Sequence, residues 1–114
     1  MRFKSFRHAF EGIMSMGKNF CIMIGCFVLV VVLGFLFQIS KVEWVAALLC
    51  CGGVLAFEMM NTAIENAVNL STKEMNPLAK KAKDIAAGAV LVFSVFAAAV
   101  GMVIFLPHFI ALFK

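Results

Sequence analysis

Phe57-Glu58-Met59-Met60-Asn61-Thr62-Ala63-Ile64-Glu65-Asn66-Ala67-Val68-Asn69 closes the second of three long apolar runs in the chain. Glu58, Asn61, Glu65 and Asn69 follow one another at spacings of three, four and four. On an α-helix those spacings put them on one side, with Thr62 among them, within an arc of roughly 80–100°. Interhelical hydrogen bonds of about 0.6–2 kcal/mol each account for Asn61, Thr62 and Asn66 as packing glue between membrane helices. They do not account for Glu58 and Glu65, because packing needs no ionisable group. An intramembrane carboxylate costs about 3 kcal/mol or more unless it is paired, hydrated or metal-bound. This face is therefore read as functional.

Composition sets the solvent. The chain has 114 residues, of which 64% are hydrophobic and only 14% charged. A soluble chain this short has no core large enough to hide so much apolar surface. It reads as one integral-membrane domain, residues 1–114, all-α, with a single interfacial helix and three spans. Cys21, Cys26, Cys50 and Cys51 fall inside apolar runs without disulfide or metal-ligand spacing, and are read as small core or lipid-facing residues. The net charge of +4 suits anionic headgroups or phosphates, and no nucleic-acid partner is expected.

Working outward from the polar stripe, the second span begins at Trp44, an expected interface anchor, and runs to Leu70. Glu58 then lies roughly 21 Å along it and Glu65 roughly 31 Å, near the far headgroups. Gly52, Ala56, Ala63 and Ala67 fall on the opposite face, where small residues let another helix approach. Before this span, Phe20 to Ile39 is uncharged and long enough to cross, and Ser40 to Glu43 is expected as a short turn. Met1 to Gly17 places Phe3, Phe6, Phe10 and Ile13 at helical intervals among polar residues, the pattern of an amphipathic helix in the headgroup region. After the stripe, Ser71 to Lys83 is the only sizeable polar segment; Ser71 to Glu74 has the pattern of a cap on a short helix, and Pro77 suits a turn or a first helical position. The third span is expected at about Ile85 to Leu106, with Ala97 and Gly101 as a small face.

Arg2, Lys4, Arg7, Lys18, Lys73, Lys80, Lys81 and Lys83 fall on one side of this three-span arrangement, and only Lys41 and Lys114 on the other. The positive-inside rule puts the N-terminus and the 71–83 loop in the cytoplasm and the C-terminus outside. Glu65, Asn69, Glu74, Lys83 and Asp84 then meet at the cytoplasmic membrane surface. Carboxylates beside lysines suit phosphate–Mg²⁺ chemistry, since Mg²⁺ takes one or two protein carboxylates plus substrate phosphates. Taken alone, the lysine run is a solvated patch that attracts anionic lipid, and Lys83-Asp84 a surface ion pair. His8 reads as interfacial and His108 as an exterior tail residue. No Walker loop, protein-kinase motif or dinucleotide fingerprint occurs.

Two blocks, Glu58-x-x-Asn61-Thr62-Ala63-Ile64-Glu65 and Ala82-Lys83-Asp84-Ile85-Ala86-Ala87-Gly88-Ala89-Val90, stand at a fixed separation on the right spans. With them the chain resembles the prokaryotic diacylglycerol kinase family, in particular its undecaprenol kinase branch. The resemblance extends over nearly the whole chain, through Gly34-Phe35, Gln38-Ile39-Ser40, Glu43-Trp44 and Pro77-Leu78-Ala79-Lys80-Lys81. It implies a homotrimer in the bacterial cytoplasmic membrane that phosphorylates a lipid alcohol, undecaprenol or diacylglycerol, with ATP and Mg²⁺, its active sites shared between neighbouring subunits. It further implies Glu58 as general base, Asn61 in support, Glu65 on the metal, and Glu74, Lys83 and Asp84 at the nucleotide. Asn69 stands at the same edge in place of a usual Asp, and Asn76 in place of a usual His. Gly17 occupies the place of a second metal-binding Glu, the segment before Phe20 is about three residues short, and Cys21 and Met23 replace a basic residue and His. Those departures leave a second reading beside the active kinase: a catalytically weak or inactive relative that binds lipid or serves membrane assembly.

Overall fold

The computed structural model describes residues 3–114, with side chains from Lys4 onward. Met1, Arg2 and the Phe3 side chain, assigned above to the amphipathic helix, lie outside what is described, as does the place of Arg2 among the basic residues of one surface. Four helices follow in order, α1 (Phe3–Met14), α2 (Lys18–Leu36), α3 (Lys41–Ser71) and α4 (Pro77–Leu112), with no strand among the described residues. The last three are long and apolar enough to cross a membrane. At 1.5 Å per residue α2 is about 28 Å long, α3 about 46 Å and α4 about 54 Å. Against a hydrocarbon layer of about 30 Å, α3 and α4 must carry their polar ends into headgroups and water.

α1 is amphipathic, as expected. Phe6, Phe10, Ile13 and Met14 are exposed on it, and Arg7 and His8 reach Glu11 at 3.6 and 3.9 Å.

The turn between α2 and α3 departs from the sequence expectation at both ends. α2 stops at Leu36, short of Ile39, in a Schellman arrangement: the Ile39 N–H donates to the Gly34 carbonyl (3.1 Å) and the Gln38 N–H to the Phe35 carbonyl (3.3 Å). Gln38 takes the left-handed conformation that glycine usually supplies, at φ 51°. Ile39 is thereby turned into the core, where it is 6% exposed. Ser40 to Glu43 is no free turn but the cap and first turn of α3. Ser40 Oγ accepts from the Glu43 N–H (3.2 Å) while Glu43 Oε1 accepts from the Ser40 N–H (2.9 Å), a capping box.

The segment after α3 also differs. Ser71 is the last residue of α3, its hydroxyl donating to the Ala67 carbonyl (2.9 Å), and no separate short helix follows. Thr72 Oγ1 accepts from the Glu74 N–H (3.2 Å) and Asn76 Oδ1 caps α4 by accepting from the Leu78 N–H (2.8 Å). Pro77 sits in the first helical turn, where its missing N–H costs nothing. α4 then runs unbroken beyond the expected Ile85–Leu106 span and through Pro107.

α3 and α4 form an antiparallel pair, the most extensive packing in the chain, and α2 leans on α3 over a shorter length. α4 closes on α3 at Gly53, where a methyl group would run into the ring of Phe93; that ring also packs on Phe57 at 5.1 Å. Gly52, Ala56, Ala63 and Ala67, the expected small face, are exposed in the single chain. The buried core lies at the opposite end of the bundle from Glu65: Ile39, Ala47, Ile104 and Phe105, flanked by Phe37 and Trp44. Trp44 does more than anchor an interface, because it covers Gly34, where an added Cβ would meet its ring at 2.6 Å, and it packs on Phe35 at 4.9 Å. His108 is no tail residue: it belongs to α4, stacks on Phe37 (5.5 Å, 27°) and reaches Glu43 at 3.5 Å.

Candidate functional site

Because α3 is one unbroken helix from Lys41 to Ser71, helical geometry fixes which residues share a face. Ala47, Cys51 and Val54 lead in steps of four and three to Glu58, four residues on. Asn61, Glu65 and Asn69 continue the same row. The upper part of that row lines an apolar cleft of ≈ 530 Å³ between α2, α3 and α4, to which α2 gives Met23 and Phe27 and α4 gives Ala97 and Gly101. The lower part is the polar stripe. One face of α3 thus passes from hydrocarbon lining to carboxylates within a single turn.

Along the row, surroundings change with depth. Glu58 and Asn61 are half-buried, whereas Glu65 and Asn69 are exposed. Asn61 Oδ1 is buried without a hydrogen-bond partner. A buried carbonyl oxygen left unpaired costs about 1–3 kcal/mol, so it marks a position where a donor is to be supplied.

α4 brings the second block to the same level. Glu65 lies six residues before the end of α3 and Lys83 six residues after the start of α4, each about 9 Å from the connecting loop. Glu58 lies about 10 Å deeper than Glu65 along the axis. Lys83 is half-buried against the helix pair. Asp84 does not pair with its neighbour Lys83 but with Lys80, one turn back, at 2.6 Å on the exposed side. That hydrogen bond first, and the Asp84 charge second, hold the Lys80 ammonium above its usual pKa, ahead of the apolar stretch of α4. Glu74 is exposed in the loop, its backbone N–H held by Thr72.

Among the described residues no hydrogen bond or ion pair joins the stripe on α3 to the charged residues of α4. No three Asp, Glu, His or Cys side chains of one chain converge as a metal cage among the described residues. The donor set still fits Mg²⁺, which asks for one or two carboxylates and takes its other ligands from phosphates and water. Glu65 is the carboxylate at the right level. Gly17, the cap of α2, contributes none, and a side chain there would meet nothing within 4 Å.

Spacing on the sequence placed Glu58, Asn61, Glu65 and Asn69 on one face, as the unbroken α3 does. It missed the unpaired state of Asn61 Oδ1 and the Lys80 partner of Asp84, although an i, i+4 search for ion pairs would have found the latter.

Comparison with known proteins identifies the family. The family model described as prokaryotic diacylglycerol kinase matches residues 7–105. The chain is 45% identical over 108 residues to the undecaprenol kinase of Bacillus subtilis (strain 168), covering 92% of this chain and 88% of that one. It is 34% identical over 112 residues to a diacylglycerol kinase of Synechocystis sp., covering 95% of this chain and 64% of the other. A diacylglycerol kinase of Helicobacter pylori (strain J99) is 43% identical over 54 residues, which is 47% of this chain. No solved structure matches the chain.

Proposed function

Since the chain belongs to the prokaryotic diacylglycerol kinase family, we propose that it transfers the γ-phosphoryl group of ATP to the hydroxyl of a membrane lipid alcohol. The observation that carries this reading is the single face of α3, which runs from the apolar cleft into Glu58, Asn61 and Glu65. A hydrocarbon chain lying along that cleft brings its head end to Glu58.

Glu58 takes the proton as the lipid oxygen bonds to phosphorus and the bond to ADP breaks; Asn61 Oδ1, lacking a donor in the free chain, accepts a hydrogen bond that orients the incoming group. Lys83 neutralises charge on the phosphates at the level of Glu65, and Asn69, Glu74 and Asp84 border the nucleotide at the loop. Glu65 would hold Mg²⁺, which supplies charge neutralisation of the phosphates when bound. Positioning and electrostatics supply the acceleration, with about 10²–10⁴-fold from the proton acceptor. The basic residues of α1 and of the 71–83 segment support a cytoplasmic site, where ATP is present, in a bacterial inner membrane. The functional unit is a homotrimer.

The identity to a protein named undecaprenol kinase makes undecaprenol the first substrate to try and diacylglycerol the second. The test offers each lipid with ATP and Mg²⁺ to purified protein in lipid-containing micelles. One of them is expected to be phosphorylated, and Glu58→Gln is expected to lower that rate about 10²–10⁴-fold while assembly and ATP binding persist. A Glu58→Gln variant with most of the wild-type rate rules out the base assignment. The bare Gly17 favours a second reading, a weak or inactive relative that binds lipid. Assembled wild-type protein that phosphorylates neither lipid would establish it.

A further inference from the structure

The apolar cleft beside the polar stripe has a defined depth. Ala47, Ile104 and Phe105 line it and also belong to the buried core, so it is closed at the end away from Glu65. From Ala47 to Glu58 on α3 is eleven residues, or about 16 Å along the axis. The α4 wall, from Ser94 to Phe105, is also eleven residues long. Carbon–carbon bonds of about 1.5 Å at tetrahedral angles advance an extended chain about 1.25 Å per carbon, so this depth takes about 13 main-chain carbons. An isoprene unit contributes four of them, which makes three units. Volume gives the same answer. At about 30 Å³ per heavy atom, three units need about 450 Å³ and four units about 600 Å³. The cleft offers ≈ 530 Å³, too little for a second chain of that length alongside.

We propose that the cleft gauges the substrate: it takes a single hydrocarbon chain over its first three isoprene units and leaves the remainder of a longer chain in lipid. This rests on the kinase reading, which sets the hydroxyl at Glu58. The cleft is open along its side, so a longer chain bends out of it and is not refused. A shorter chain leaves the space over Ile104 and Phe105 unfilled and forfeits the dispersion contacts there. Gly101 sets the depth on α4. It lines the cleft one turn before that closing pair, and a Cβ added to it would meet nothing within 4 Å. A leucine side chain at this position has room to enter, and its four carbons fill about 120 Å³, close to one isoprene unit.

The test offers prenols of two, three, four and eleven isoprene units, at equal mole fraction in lipid-containing micelles, to the wild type and to Gly101→Leu with ATP and Mg²⁺. For the wild type, kcat/KM is expected to rise about tenfold from two units to three and to stay level within about twofold beyond. In Gly101→Leu the two-unit prenol should draw level with the longer ones. A steady rise to eleven units, a flat series from two, or a wild-type pattern kept by Gly101→Leu overturns the proposal. The last is the result that a neighbouring copy seated in the cleft would give. A second arm needs no turnover. Prenols carrying a diazirine at the tail of the second or of the third unit are photolysed with wild-type protein in the absence of ATP, and the insertion sites are mapped by mass spectrometry. The three-unit tail is expected at Ala47, Ile104 or Phe105, and the two-unit tail one turn short of them, at Cys51 or Ala98. The same residues for both tails, or insertion spread over the exposed Val32 and Val95, overturns the gauge. If no prenol is phosphorylated, the kinase reading fails, and the labelling pattern alone upholds or overturns the gauge.

Discussion

Gly17 is a residue whose absent side chain has consequences. It caps α2 in an extended conformation with no side-chain hydrogen bond, and open space surrounds the position a Cβ would take. The family it belongs to is expected to carry a metal-binding carboxylate there, so on the proposed reading Glu65 would be the principal protein ligand for Mg²⁺ in this chain. The ion tolerates water in a vacated position but is held less firmly. Nothing steric forbids putting the carboxylate back. Gly17→Glu, alone or with three residues inserted after Met16, is expected to lower the Mg²⁺ concentration for half-maximal lipid phosphorylation about tenfold. A robust wild-type rate whose Mg²⁺ dependence neither variant shifts would mean that the site is complete without it. At this scale the sequence was most legible where chemistry and periodicity coincide. Two carboxylates at helical spacing in an apolar run share one face of α3, as the spacing says they must. Asn61 Oδ1 is different, because its lack of a partner depends on which neighbours α3 and α4 bring around it. His108 is different too: its partner Glu43 is remote along the chain and becomes a neighbour only when α3 and α4 pair.

Helices, rather than residues, decide how the site is presented. α3 keeps Ala47 through Asn69 in one row because no break interrupts it, and its start is set by a capping box that was legible as Ser40-x-x-Glu43 but reads equally as a turn. The stop of α2 was not legible, since Gln38 occupies the left-handed position where glycine would have announced it. The same limit applies to helix pairing. Small residues recur on every side of these helices, and the spacing pointed to Gly52 as a packing surface. The structure uses Gly53, one residue and about 100° away, where Phe93 fills the space above the backbone. The pair provides an internal control. Gly52→Ala meets nothing and gains helix propensity, up to about 1 kcal/mol, so its unfolding midpoint should hold or rise. Gly53→Ala must displace a ring already packed on Phe57, at about 1–3 kcal/mol, and its midpoint should fall. Equal midpoints for the two variants in thermal unfolding would show that α4 does not approach at Gly53.

The whole molecule is an open one. It exposes 8868 Å², whereas a compact soluble monomer of 12.4 kDa would expose about 6100 Å². Among the described residues six hydrophobic side chains are buried, four of them clustered at the end away from Glu65. Lipid meets much of that surface, but lipid does not complete a catalytic site. Glu58 and Lys83 stand on different helices, and among the described residues no hydrogen bond or ion pair joins the two blocks, which leaves room for a neighbouring subunit to supply one block opposite the other. Neither composition nor spacing carries this information, since an interface between copies is read from shapes that one chain does not contain. Subunit mixing tests it directly. On the proposed reading Glu58→Gln removes the proton acceptor and Asp84→Asn a group at the nucleotide, and each variant alone is expected to be nearly inactive. If each site takes Glu58 from one subunit and Asp84 from the next, a trimer mixed at random from equal amounts rebuilds intact sites. A site needs Glu58 from an Asp84→Asn subunit and Asp84 from a Glu58→Gln neighbour, so about a quarter of sites are whole. Lipid phosphorylation by the co-reconstituted mixture should therefore recover to about a quarter of the wild-type rate. If each chain builds its own site, every site carries one lesion and the mixture stays as inactive as its components, a result that would confine the chemistry to a single α3–α4 pair.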